Sequence, residues 1–206
     1  MTLTEVLVVV VVLTVVAAVF LPALVAKKRT GNKVSCTNNL KQIYLAFRMW
    51  ADDNNGKYPM EISTANGGTK ELAATGDAVS TFQIMTNELS TPRVLWCWWD
   101  TSHKMAPYFS TGLTAKNISY FIGLDAGTNS PQAFLCGDDN FAISGVPVKS
   151  GLLKISTNTP ITWTAARHVN QGNIGLTDGS VSQIDDKLLV QELIETGIAT
   201  NRLAIP

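Results

Sequence analysis

The sequence predicts an α+β fold in which one long N-terminal helix packs on an antiparallel β-sheet domain. Two observations predict it. Residues 1–26 read MTLTEVLVVVVVLTVVAAVFLPALVA, a run in which Glu5 is the only ionisable side chain. Beyond residue 55 the chain turns to short β-type runs separated by Gly, Asn, Thr and Ser, the composition of a loop-rich sheet domain.

The helix comes first. The uncharged stretch 6–26 is long enough, at about 1.5 Å rise per residue, to cross about 30 Å of hydrocarbon. It lacks the basic start of a signal peptide and exceeds the usual apolar core length of one. Lys27, Lys28 and Arg29 follow it, which also suits a single-span anchor with its basic flank in the cytoplasm. An anchor alone leaves Glu5 unexplained, because a carboxylate at the start of such a run is costly to bury and marks function. A positive N-terminal amine is its natural partner, either that of Met1 in the same chain or that of an axially shifted neighbour.

Helical periodicity continues over 33–53, with apolar Val34, Leu40, Ile43, Tyr44, Phe47 and Trp50 at three- and four-residue spacing. Asn54, Asn55 and Gly56 supply a stop, with Pro59 beyond. One helix of about fifty residues is expected, interrupted by Pro22 and Gly31, with a kink or melted stretch near 17–23 where Pro22 removes a backbone hydrogen bond. The domains are then 1–55, the helix, and 56–206, the head.

Within the head, residues 57–76 read as loop and 81–89 as a short helix ended by Ser90, Thr91 and Pro92. Strands are expected at 94–99, 118–124, 133–136, 141–148, 161–164, 173–177 and 181–184. The last two are joined by Asp178-Gly179, a hairpin signal. Residues 188–196 read as an amphipathic helix with Gly197 at its end. In the run 94–99, Trp96 and Trp98 would share one face with Trp99 opposite, packing into the core or meeting a neighbouring subunit or a sugar.

Formal net charge is zero, which removes the electrostatic case for nucleic acid. Charged residues are 16% of the chain, low for a soluble protein and consistent with surface buried against further copies.

The segment 1–5 and the apolar run after it resemble the mature N-terminus of type IV pilins and type II secretion pseudopilins. Met1 stands where that family has a methylated Phe, and Thr4 where it has Ile. The numbering is accordingly expected to start at a terminus processed by a prepilin peptidase. A second resemblance lies at 168–181, HVNQGNIGLTDGSV: His168, nine residues, then Asp178-Gly179. It is similar to the C-terminal motif of a pilin-like family of planctomycetes and verrucomicrobia. The runs 36–46, 92–100, 119–125 and 201–206 are similar to further pieces of it, with Trp98 where the family tends to place Pro.

The resemblance implies a type IV pilin-like fold and a structural role. Subunits would wait in the inner membrane, be assembled by its machinery, and form an extracellular or cell-surface helical homopolymer with the apolar helices at its core. Glu5 would neutralise a neighbour's Met1 amine, and Pro22 would mark where the helix extends on packing. Alternatives are a pseudopilin of a type II secretion system, which would act in the periplasm, and a membrane-anchored binding module or enzyme. The resemblance also favours a Cys36–Cys97 disulfide, with Cys97–Cys136 second and a plain buried Cys36 thiol third.

No catalysis and no cofactor are expected. His168 and Asp178 could form the orienting half of a triad, but no nucleophile elbow accompanies them, so His168, Asp178 and Gly179 are read as structural. Cys97, His103, Cys136 and His168 show no zinc-ligand spacing. Asp138, Asp139 and Asn140 offer oxygen ligands without a calcium-loop pattern.

Overall fold

The computed structural model describes residues 3–206, with side chains described for 3–18, 35–110 and 112–206. Met1 lies outside the described residues, as does the Pro22 side chain with the kink expected around it. The chain divides into two compact units, 1–35 and 36–206. The head therefore takes in the helix from Cys36 onward, twenty residues before the boundary expected at about 55.

Helix α1 (Leu3–Asp53) is 51 residues long. In the first unit its described side chains are exposed on every face, from Val6 at 45% to Leu3 at 84%. Thr14 turns its hydroxyl back to the Val11 carbonyl at 2.8 Å, so this polar group is satisfied inside the helix. Among the described residues no helix is long and apolar enough to cross a membrane. Within the run 6–26 the side chains are described only as far as residue 18.

In the head unit the same helix is one-sided. Cys36, Leu40, Ile43, Phe47 and Trp50 are buried, while Lys41, Leu45 and Met49 face outward. This is the stripe that 3.6-residue periodicity lays on a sheet. Each fully buried Leu, Ile or Phe on it contributes about 1.5–3 kcal/mol. After α1 the segment expected as plain loop holds two 3-10 turns and helix α2 (Lys70–Ala73). The helix expected at 81–89 is two, α3 (Ala78–Ile84) and α4 (Thr86–Leu89), broken at Met85. Asp77 caps α3 by accepting from the Ser80 N–H at 3.1 Å.

The expected strand at 94–99 is absent. Pro92–Leu95 forms a 3-10 turn instead, started by Thr91 and the fixed φ of Pro92. The Cys97 N–H then donates to the Ser119 hydroxyl at 3.1 Å and not to a strand ladder. Trp96 and Trp98 nonetheless meet edge to face, 5.6 Å between ring centroids. Trp98 is exposed, and Trp99 packs against His168.

Among the described residues nine strands follow: β1 (Tyr120–Gly123), β2 (Phe134–Asp138), β3 (Phe141–Ile143), β4 (Val146–Pro147), β5 (Gly151–Ile155), β6 (Ile161–Trp163), β7 (Gly172–Leu176), β8 (Val181–Ile184) and β9 (Asn201–Ile205). Six make an antiparallel sheet in the order β5-β9-β1-β2-β7-β8, and β4-β3-β6 make a smaller one. The β7–β8 hairpin turns at Asp178-Gly179, with Gly179 at φ 89°. Strands β5 and β9 were not expected as strands.

The large sheet is covered on both faces. Tyr120 and Ile122 enter the core that contains the α1 stripe, whereas Phe121 between them enters a second core, as the two-residue period requires. A register shift between Phe134 and Cys136 places Leu135 and Cys136 together in the first core. Helix α5 (Asp186–Glu195) covers the second with Leu189 and Leu193, four residues apart. Phe141 stacks on Trp163 across β3 and β6 at 4.5 Å.

Gly123 leaves no room for a side chain: an added Cβ would stand 1.7 Å from the Phe134 carbonyl oxygen. Gly123→Ala is expected to lower stability by about 1–3 kcal/mol or more through this overpacking, measured by urea unfolding of the full chain followed by Trp fluorescence.

Candidate functional site

The loop before β7 presents Arg167 and His168, and its backbone is unusual. His168, Val169 and Asn170 have successive φ values of 50°, 56° and 57°. The left-handed region costs an L residue about 1–2 kcal/mol, and a β-branched Val rarely enters it. Such a turn persists only when its surroundings hold it. Here the side chains of Arg167 and His168 do so, at 4% and 1% exposure.

Arg167 sits among three buried carboxylates. Nη1 donates to the Ser119 carbonyl at 2.7 Å and lies 3.3 Å from Asp100 Oδ2 and 3.9 Å from Asp138 Oδ1. Nη2 donates to Asp139 Oδ1. Asp138 Oδ2 accepts from the Asn173 backbone N–H and Nδ2, both at 2.7 Å. Asp100 Oδ1 accepts from the Ser102 N–H at 2.8 Å, the Ser102 hydroxyl at 2.6 Å and the His103 N–H at 3.1 Å. His103 Nδ1 meets Asp100 Oδ2 at 2.7 Å. Burial alone would raise the Asp100 pKa. The hydrogen bonds from His103 and Ser102 and the Arg167 charge outweigh it and hold this carboxyl well below the usual carboxylate range.

His168 Nε2 lies 3.3 Å from Cys97 Sγ, 3.2 Å from Asn173 Nδ2 and 3.4 Å from Asp138 Oδ2. Its carboxylate neighbour at this nitrogen is thus Asp138, from β2. Asp178 instead works in its turn, accepting from the Ser180 N–H at 2.8 Å. A Cys–His contact has the form of an activated nucleophile. Cys97 and His168 are 0% and 1% exposed, so the sulfur is closed to substrate in this conformation.

The network reaches α1. The Cys36 and Cys97 sulfurs and a His168 ring nitrogen lie within 4.8 Å of one another. All three cysteines are buried thiols in the structure. Cys136 is elsewhere on β2, its thiol pKa raised far above the ordinary value by burial and by the Asp138 charge. Thr37 donates to Asn173 Oδ1 at 3.2 Å, and Asn39 Nδ2 to the Trp96 carbonyl at 3.0 Å and Tyr120 Oη at 3.3 Å. Gly179 packs under the Tyr44 ring, where an added Cβ would come within 2.7 Å.

Residues singled out in sequence segments far apart are therefore one assembly. Cys36, Cys97 and His168 are joined directly, and Gly179 meets the same helix. Glu5 belongs to the other compact unit. Sequence reasoning did not select Asp100, Arg167 or Asn173, and it weighed His103 as a ligand only to set it aside for want of zinc-ligand spacing. The available signals were Arg167 beside His168 and the three-residue spacing of Asp100 and His103.

No family model, curated protein or solved structure matches this chain.

Replacing Arg167 by Met would leave three buried carboxylates without their cation and is expected to cost about 3–5 kcal/mol in urea unfolding. The exposed Arg202–Asp125 pair, 2.6 Å apart, is the control. Arg202→Met is expected to cost about 1 kcal/mol or less. The lowered Asp100 pKa also sets a pH window. Its ordinary value is 3.8, so the unfolded chain takes up this proton first as pH falls. The contribution is complete well above that value and is lost progressively as pH falls through and below it, read as a urea midpoint that falls from about pH 4 downward.

Proposed function

We propose that this chain is a structural, pilin-like subunit that polymerises through α1 into an extracellular filament. The observation that carries the reading is the first unit itself. It is a helix whose described apolar side chains are exposed all round, with Glu5 the only ionisable side chain in the segment 1–26. A helix of this kind has no aqueous resting place and needs an apolar environment on every side. Lipid provides one before assembly, and a bundle of identical helices provides one afterwards.

The resemblance of 1–5 and 168–181 to pilin-like proteins supports the same reading. So does the architecture of the second unit, a helix stripe closed by a two-faced sheet. In the filament Glu5 pairs with the Met1 amine of an axially shifted neighbour. That pairing gives the polymer its stagger and removes a charge from an apolar core. The head network is structural in this reading and catalyses nothing.

The test is to shear intact cells and examine the released fraction by electron microscopy and mass spectrometry. Filaments built mainly of this chain are expected, beginning at a processed Met1. Glu5→Gln is expected to abolish them, while urea unfolding of the head stays within about 0.5 kcal/mol of the parent, as for a substitution remote from the core. Confinement of the protein to the envelope would favour a secretion pseudopilin. Filaments unchanged in Glu5→Gln would end the assembly role of that carboxylate.

A further inference from the structure

The head network holds more negative charge than Arg167 cancels. Asp100, Asp138 and Asp139 are all buried, against the one guanidinium they surround. Three carboxylates against one cation leave an excess of two negative charges while the histidines are neutral. Buried excess charge of this size calls for a compensating cation.

The geometry shows where it would go. A cavity of about 280 Å³ is lined by His103, Asp139, Asn140 and Arg167 among others. His103 Nδ1 is 2.7 Å from Asp100 Oδ2, a separation that places the ring proton on Nδ1, because the carboxylate can only accept. In the neutral ring Nε2 then presents its lone pair, and 4.0 Å away stands Asp139 Oδ2. Arg167 holds the other oxygen of Asp139, so Oδ2 is the one left for a further partner. Two acceptors face each other with no donor between them.

Asn140 adds an independent sign. It is 7% exposed and lines the same cavity. Its Nδ2 donates to the Thr164 and Gln171 carbonyls at 3.3 and 3.4 Å. Those two acceptors fix the orientation of the amide. Its Oδ1 is buried and has no hydrogen-bond partner among the described residues, an omission that costs free energy unless a ligand supplies the interaction.

We propose that His103 Nε2 and Asp139 Oδ2 bind a first-row divalent cation such as zinc, on the cavity wall that also carries Asn140. In a tetrahedral shell, bonds of about 2.0–2.2 Å set two zinc ligands about 3.4 Å apart, so the pair closes in from its 4.0 Å separation by side-chain rotation when the ion binds. Water from the cavity completes the shell. Asp100 is the positioning residue, holding the imidazole through Nδ1–H as a carboxylate behind a metal-bound histidine does. An imidazole ligand selects zinc and its neighbours over calcium or magnesium, which prefer oxygen alone. The ion's two positive charges match the excess of the network. Polymerisation is not required, so this site stands or falls separately from the filament reading.

The test uses the full chain in mild detergent, stripped with a chelator. Zinc alone is titrated by calorimetry, and cobalt is added in parallel for its visible spectrum. One equivalent of zinc is expected to bind, at least about tenfold more weakly in His103→Gln. The cobalt form is expected to show no thiolate charge-transfer band. No uptake, uptake unchanged in His103→Gln, or a thiolate band overturns the proposal, the last by moving the ion to Cys36, Cys97 and His168. Circular dichroism checks that the variant folds; if it does not, the parent's stoichiometry and cobalt spectrum decide alone. A His103 that is instead protonated, bridging both carboxylates, would appear as no uptake.

Discussion

The guanidinium of Arg167 among Asp100, Asp138 and Asp139 is the interaction on which the head depends. Each carboxylate comes from a different local setting: the turn after Trp99, the end of β2, and the link from β2 to β3. Bringing like charges together away from water is unfavourable unless a cation and fixed donors meet them. Arg167 offers a rigid planar fork, while Asn173, Ser102 and His103 supply the remaining donors. Held in this way, the network specifies one arrangement of the loops. The left-handed run at 168–170 is its cost in backbone strain.

That arrangement reaches the helix. Asp138 holds Asn173, Asn173 accepts from Thr37, and Cys97 beside His168 stands against Cys36. The polar contacts position what the apolar stripe Leu40, Ile43 and Phe47 then stabilises. Burial is non-directional and would tolerate a helix shifted along the sheet. Hydrogen bonds at 3.0–3.3 Å from Asn39 to the Trp96 carbonyl and Tyr120 hydroxyl permit far less displacement.

One helix thus follows two physical rules. From Cys36 onward it is amphipathic and belongs to a protein core. In the first unit it is apolar at every described position from Val6 to Val16 except Thr14. Thr14 bonds its own backbone. The proposed filament gives this segment the surroundings its composition requires, and the head gives the rest of the helix a fixed identity.

The long helix, its stripe, the β7–β8 hairpin and α5 were legible in the sequence, because periodicity and turn chemistry are local. The 94–99 run misled for the same reason: its β-type composition was overridden by Pro92 and by the Ser119 hydroxyl that takes the Cys97 N–H. Strands β5 and β9 escaped notice because they carry Lys154 and Arg202 within short, weakly alternating segments, and tertiary pairing stabilises them, β5 on β9 and β9 also on β1. His168 was visible as a motif residue, but its partners were not. Asp138 lies thirty residues earlier and reaches it because β2 and β7 pair. By itself, then, the sequence determined the elements whose causes lie within a few residues of one another. The tertiary structure alone decided which charged groups share a buried site, since that depends on strand order and loop strain, which no local spacing encodes.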